Sequence, residues 1–338
     1  MSGPTRKIGN TNVSAIGFGV MGLSAFYGNL SQTDEERFKI LDAVYESGCT
    51  HWDTADVYGD NEELIGNWFK RTGRRNNVFL ATKAGITLGQ AKDVTADPEY
   101  IKAACDKSLR RLGVDKIDLY YLHRADPTVP IEKSVGAMAE LVKEGKVKYI
   151  GLSEVSERTL RRAHAVHPIA ALQVEYSPFC LDVERPDIGL LSACRELGIA
   201  VVAYSPLGRG LLTGRYTSPD DFEEGDFRLS IPKYGKDNFP NILKVVDEIK
   251  AVGAAHNAAA STTTLAWLLA QGEDVIPIPG TRSVKYLQEN LAACNLRLEP
   301  KEIKALREIA ERAEKNVKGD RYPRAGFMDF VYVDTPEL

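Results

Sequence analysis

The sequence contains no apolar run approaching the ~20 residues that cross a bilayer, and its opening MSGPTRKIGN lacks the apolar segment of a secretory signal, so the expected compartment is the cytosol. Cysteine is sparse. The five residues, Cys49, Cys105, Cys180, Cys194 and Cys294, are odd in number, scattered and without a C-x-x-C pair. That pattern excludes a disulfide framework and a zinc site and leaves small buried hydrophobes. An excess of positive charge is also missing: the formal net charge is −4, which gives no basic face for nucleic acid or anionic lipid. Nor does any Pro-, Gly- and Ser-rich linker cut the chain, so one domain over residues 1–338 is expected.

What is present is a chain of 338 residues, 43% hydrophobic and 27% charged, enough for a large core. Short apolar runs such as NVFLAT, IDLYYLH and IAVVAYS alternate with amphipathic segments; Ile131, Val135, Met138, Leu141 and Val142 place one apolar stripe toward a sheet. Strands ending near Gly19, Asp53, Thr82, His123, Ser153, Val174, Tyr204 and Ile278 make eight βα units. Eight such units close into an α/β (β/α)8 TIM barrel. Its core spans about residues 16–294, followed by a C-terminal helix and tail over 300–338. Residues 207–240, after the seventh strand, are too long for an ordinary connection and read as a functional flap or, alternatively, a surface insertion.

Gly17, Gly19 and Gly22 have the G-x-G-x-x-G spacing of a dinucleotide-binding turn. A true fingerprint opens a helix and meets an acidic residue about 20 positions later at a second strand. Here the helix is expected only at the SQTDEE cap, and Asp42 falls inside it. The glycines therefore read as a small-residue strand end and turn at the barrel mouth, where backbone can approach a ligand.

Working residues of such barrels sit at the C-terminal strand tips. The second tip delivers Asp53 and Tyr58 in WDTADVYG, the third Lys83 in ATKAG, the fourth His123 in YYLHRAD. A lysine cation beside a phenol favours the phenolate and is expected to draw the Tyr58 pKa down. Asp53 can pair with Lys83 and aim it, while His123 can donate a hydrogen bond to a carbonyl oxygen. The set suits protonation of an oxygen as hydride reaches its carbon. Asp and His can also ligate metal, but the central lysine repels a divalent ion and no H-x-x-x-H spacing occurs. Taken singly, each residue also has a plain structural role as loop cap, core phenol or strand imidazole.

These runs, with VKYIGLSEVS, QVEYSPF and AYSPLGRGLLTGR, resemble the aldo-keto reductase family from about Gly17 to Asn290, closest to its plant and fungal aryl-alcohol and auxin-induced-like branch, with likeness to pyridoxal reductases. The resemblance implies a TIM barrel that binds NADPH without a Rossmann unit, Tyr58 as proton donor, and Asp53, Lys83 and His123 in support. It places Ser153 and Gln173 on the nicotinamide carboxamide, Tyr204 under the nicotinamide ring, and Ser205, Leu207, Gly208, Arg209, Gly210 and Leu211 around the pyrophosphate. Gly19 and Met21 fall at the same mouth. Glu154 stands where the family commonly has Asn. Gly280, Thr281 and Arg282 precede a helix and correspond to the 2′-phosphate segment; Arg282 is the main candidate and Lys285 the reserve, since Tyr286 replaces a common arginine. Gln288, Glu289 and Asn290 fit the adenine edge.

Met21, Phe26, Tyr27, Trp52 and Phe179 are candidates for an apolar substrate wall, or for plain core, and the tail RYPRAGFMDFVYVD either crosses the opening or covers a helix seam. The expected partner is a small aldehyde or ketone. The family's channel-associated members supply an alternative, an NADPH-binding regulatory subunit with little turnover. A barrel hydrolase lacks the two carboxylates it needs at neighbouring tips.

Overall fold

The computed structural model describes residues 3–28, 31–87, 89, 92–323 and 328–338. A hairpin of β1 (Thr5–Ile8) and β2 (Thr11–Ser14) comes first, then β3 (Phe18–Gly19), α1 (Asp34–Glu46), β4 (His51–Asp53), α2 (Asn61–Thr72), β5 (Phe79–Ala84), α3 (Pro98–Leu112), β6 (Ile117–Leu122) and α4 (Ile131–Lys143). The order continues with β7 (Val147–Ser153), α5 (Glu157–Val166), β8 (Ile169–Glu175), α6 (Leu190–Leu197), β9 (Ala200–Tyr204), α7 (Phe239–Ala254), α8 (Ala260–Leu269), β10 (Val275–Pro277), α9 (Val284–Ala292) and α10 (Pro300–Asn316).

Strands β3 to β10 pair in parallel in strict chain order. The Gly17 N–H donates to Pro277 O at 2.9 Å and the Gly19 N–H to Pro279 O at 3.2 Å, which joins the first barrel strand to the last. This is the expected TIM barrel, and its strand tips fall where the apolar runs place them. The α1 start is also as expected, with Thr33 and Glu36 forming a capping box.

The hairpin is a feature that the sequence reading lacks. Gly9 supplies a φ of 54° at its turn. Ile8 and Val13 then pack with Phe79, Leu119 and Ile276 inside the barrel, closing the end opposite the strand tips. The periodicity signal is weak there because each strand is four residues long.

The opening glycines take on a different meaning. They lead into one short 3-10 turn, Val20–Leu23, rather than into a helix that could bind a pyrophosphate. A Cβ on Gly19 would lie 2.8 Å from Ile278 O, one on Gly280 2.5 Å from Gly19 O, and one on Gly17 2.7 Å from His51 Nδ1. Gly19 and Gly280 are small because two backbones meet at the barrel seam, and Gly17 because the His51 and Ile278 side chains pack against it.

Segment 205–238 folds into successive 3-10 turns that cover the mouth. Arg228 organises it, pairing with Asp226 at 2.6 Å and lying 4.4 Å from the ring centroids of both Tyr216 and Phe222. The Phe227 N–H donates to Phe26 O, which ties this loop to the one after β3.

Because the atom facing Gly280 is backbone, relief of a clash there requires the seam to open. Gly280→Ala is expected to destabilise the fold by about 1–3 kcal/mol, read as a lower urea midpoint at unchanged m-value. An unchanged midpoint would remove the seam as the reason for this glycine.

Candidate active site

Lys83 is fully buried in β5, and its cost in desolvation is offset by two short contacts: Nζ donates to Asp53 Oδ1 at 2.5 Å and to Thr54 O at 2.8 Å. The other Asp53 oxygen, Oδ2, accepts from Gln173 Nε2 at 2.8 Å. Lys83 Nζ lies 5.2 Å from the centroid of the half-buried Tyr58 ring. The Tyr58 and His123 rings are edge to face, 5.8 Å between centroids. The four residues thus converge at three adjoining tips.

The loop bearing Tyr58 is held by a buried polar network. Thr54 Oγ1 donates to Asn61 Oδ1 at 2.6 Å, and Asn61 Nδ2 donates to Val20 O and to Ser24 Oγ.

Electrostatically the site departs from the expected phenolate. Burial first, and the Asp53 carboxylate second, push the Tyr58 phenol well above its ordinary value, with Arg124 opposing. Burial dominates in the resting site, where the Lys83 charge is shared with Asp53 at contact distance. Tyr58 is therefore a protonated acid. Burial, helped by Lys83 and Arg124, holds His123 well below its usual value, so the imidazole is neutral. Its Nδ1 is buried without a hydrogen-bond partner.

Ser153 and Gln173 face each other in the β7–β8 register. Ser153 Oγ accepts from Arg124 Nη1 at 3.1 Å. At the tip of β9 the Tyr204 hydroxyl donates to Glu154 Oε1 at 2.8 Å and lies 2.9 Å from the Tyr322 hydroxyl. Ser205, Gly208, Arg209 and Gly210 all have positive φ, in a tightly curled loop where Gly208 N–H donates to Ser205 O at 2.9 Å and Gly210 N–H to Leu207 O at 3.0 Å. The Arg209 side chain is 6% exposed, and its Nε is buried without a hydrogen-bond partner. The Arg209 guanidinium beside this loop is a cation of the kind that a pyrophosphate would need. Leu207 and Leu211 are buried apolar side chains in the core, so they could offer only backbone.

Thr281 and Arg282 lie just before α9, whose first turn carries no acid. Lys285 is 78% exposed and 4.0 Å from Glu289. Asn290 is buried and Glu289 half-buried, whereas Gln288 faces solvent on another side of the helix.

Among the wall candidates, Phe26 meets Tyr58 edge to face at 6.1 Å, Tyr27 lies 5.2 Å from Arg228, and Met21 is half-buried at the mouth. Two candidates are corrected. Trp52 points outward, fully buried 4.7 Å from Trp68, because strand alternation sends it to the helix layer when Asp53 faces the site. Phe179 is 1% exposed and packed beneath Gly208.

The tail does both things expected of it. Arg321 and Tyr322 reach Glu154 and Tyr204 at the mouth, while Val333 bridges Val155 and Thr335 O accepts from Arg162 beside α5. Residues 324–327 of that tail lie outside the described set. Sequence reasoning missed Arg124, Arg321 and Tyr322. Arg124 had a signal in its place directly after His123; GDRYP carries none.

A parallel barrel that gathers acid–base groups at its C-terminal mouth is built as an enzyme. The chain belongs to the aldo/keto reductase family, whose family model matches residues 15–311. It is 60% identical over 340 residues to aldo-keto reductase str7 of Strobilurus tenacellus, covering 99% of this chain and 98% of that one. It is 52% identical over 343 residues to aldo-keto reductase yakc [NADP(+)] of Schizosaccharomyces pombe, covering 100% and 99%. The solved glycerol dehydrogenase of Gluconobacter oxydans superposes with a TM-score of 0.82 at 28% identity, covering 93% of this chain and 97% of that one. A thermostable aldo-keto reductase in complex with the inhibitor epalrestat gives 0.73 at 31%, covering 90% and 99%.

The loop between Asp53 and Tyr58 holds one further titrating group. Burial and the Glu62 carboxylate raise the Asp56 carboxyl from 3.8 to about 7. The folded chain therefore binds more protons than the unfolded one between those values, and stability falls as pH rises through that window. Asp56→Asn is expected to lose this fall, seen as a flatter melting temperature between about pH 4 and pH 7 than in the wild type. Parallel curves would rule Asp56 out.

Proposed function

We propose that the protein is an NADPH-dependent carbonyl reductase that converts an aldehyde or ketone to the alcohol, with Tyr58 as the proton donor. The observation that carries this reading is the buried Lys83–Asp53 pair beside the protonated Tyr58 and the neutral His123. NADPH, when bound, supplies the hydride. A carbonyl oxygen between Tyr58 and His123 would accept a hydrogen bond from the imidazole N–H. Charge building on that oxygen makes it a stronger base than phenolate, so even a phenol raised by burial gives up its proton. Lys83 then lies close enough to stabilise the phenolate, since its pairing with Asp53 holds it in place.

Ser153 and Gln173 would hold the carboxamide, Tyr204 would stack on the nicotinamide, Arg209 and the loop from Ser205 to Leu211 would take the pyrophosphate, and Thr281 and Arg282 the 2′-phosphate. The Arg209 guanidinium and the acid-free first turn of α9 support that division. An aldehyde or ketone is the partner, and an aromatic mouth of Phe26, Phe227 and Tyr322 favours an apolar one.

Tyr58→Phe is expected to lower kcat for aldehyde reduction by about 10²–10⁴-fold with NADPH affinity retained, followed by the loss of cofactor absorbance with a panel of aromatic and aliphatic aldehydes. Full turnover in the mutant would end the assignment. Tight NADPH binding by the wild type with no consumption across the panel would favour a nucleotide-binding subunit instead. A second substitution probes the cofactor's far end: Arg282→Ala is expected to weaken NADPH by about tenfold or more while NADH changes little, measured by fluorescence titration. Equal losses would place the phosphate elsewhere.

A further inference from the structure

Glu154 follows Ser153 at the tip of β7, and the structure shows what its carboxylate meets. It is held at a φ of 54°, and its two oxygens accept from Arg321 Nη1 at 2.9 Å and Nη2 at 2.8 Å. The Glu154 side chain is 0% exposed and that of Arg321 5%. The same Arg321 Nη1 donates to the Tyr204 hydroxyl at 3.1 Å and lies 3.4 Å from Glu175 Oε2. Arg209 also reaches Glu175 Oε2, at 3.4 Å. Tyr332, further along the same C-terminal segment, donates its N–H to Glu154 O at 2.8 Å.

A buried ion pair of this kind adds little net stability over an apolar pair of equal volume. What it does provide is a defined charge. Glu154 and Glu175 contribute two negative charges at the rim of Tyr204. Arg321 and Arg209 balance them, with Asp182 4.0 Å from Arg321 Nε and Arg124 bonded to neighbouring Ser153. Arg209 belongs to the loop proposed for the pyrophosphate; Arg321 comes from outside the barrel and has no such second use.

We infer that Arg321, delivered by the C-terminal segment, is a positioning residue that sets the charge beside the nicotinamide end of the cofactor cleft by neutralising Glu154 at the rim of Tyr204. The inference rests on the reading that Tyr204 faces the nicotinamide. Its consequence concerns the two redox forms of the cofactor, because the oxidised nicotinamide ring is a cation and the reduced ring is neutral. Removing Arg321 leaves an excess negative charge that favours the oxidised form. Removing the Glu154 charge leaves an excess positive charge that disfavours it.

The test is the ratio of the dissociation constants of NADP+ and NADPH, measured by calorimetry on the full chain at a series of pH values from neutral to alkaline. Arg321→Met is expected to lower the NADP+/NADPH ratio about three- to tenfold, Glu154→Gln to raise it by a similar factor, and the double variant to return it near the wild-type value. Arg321→Lys keeps the charge and is expected to keep the ratio. A purely structural role, or partial unfolding, would weaken both forms together and could not give opposite signs in the two single variants. Unchanged ratios, or shifts of the same sign, overturn the inference. Tyr204→Leu separates this failure from that of the underlying reading. If it weakens NADPH but spares 2′,5′-ADP while the ratios stay flat, only the role of Arg321 falls. If it leaves NADPH affinity intact, both fall.

Discussion

The contact between Lys83 and Asp53 is the constraint on which the site is built. An ammonium with no exposure is tolerable in a barrel only if its charge is answered at once, and here Asp53 and the Thr54 carbonyl answer it. The second oxygen of Asp53 is taken by Gln173, so the contact ties β4 and β5 to β8 on the far side of the mouth. Removing one partner would leave a buried charge unpaired and loosen three strand tips together. The same pair flanks Tyr58. Beside a lysine already paired with Asp53, burial dominates and holds the Tyr58 phenol well above its ordinary value.

Around this pair the mouth is assembled from pieces far apart in the chain. Phe26 follows β3, Phe227 belongs to the loop after β9, and Tyr322 follows α10, yet Tyr58, Phe26, Phe227 and Tyr322 form one run of edge-to-face or tilted rings. Such contacts orient rings without sealing the space between them. Arg209 lies against Phe227 and Tyr322, so the loop after β9 and the aromatic wall of the mouth share a side chain. A barrel with rigid strands and a mouth composed of loops keeps the chemistry fixed while the surroundings vary.

The eight strand tips were legible because buried parallel strands are apolar nearly throughout and end abruptly in polar residues. Asp53, Lys83 and His123 each sit at such an ending. The position of the next helix already separates the G-x-G-x-x-G spacing from a Rossmann turn. The reason for two of its glycines, and for Gly280, is contact across a seam between residues some 260 positions apart, which no local pattern encodes. Trp52 and Phe179 were ambiguous because an aromatic at a strand end suits either face; only alternation relative to Asp53, and the packing beneath Gly208, resolves them.

By itself, then, the sequence determined the order of elements, the barrel they close into and the residue types at its tips, since periodicity and chain-local endings carry those. Tertiary structure decided the rest. It chose the sign of the Tyr58 shift, because that depends on how deeply the fold buries the phenol and on the carboxylate it sets nearby. It brought the hairpin under the barrel and Arg321 onto Glu154, because a side chain's partner across 167 positions is set by where the chain returns in space and not by what surrounds it in sequence.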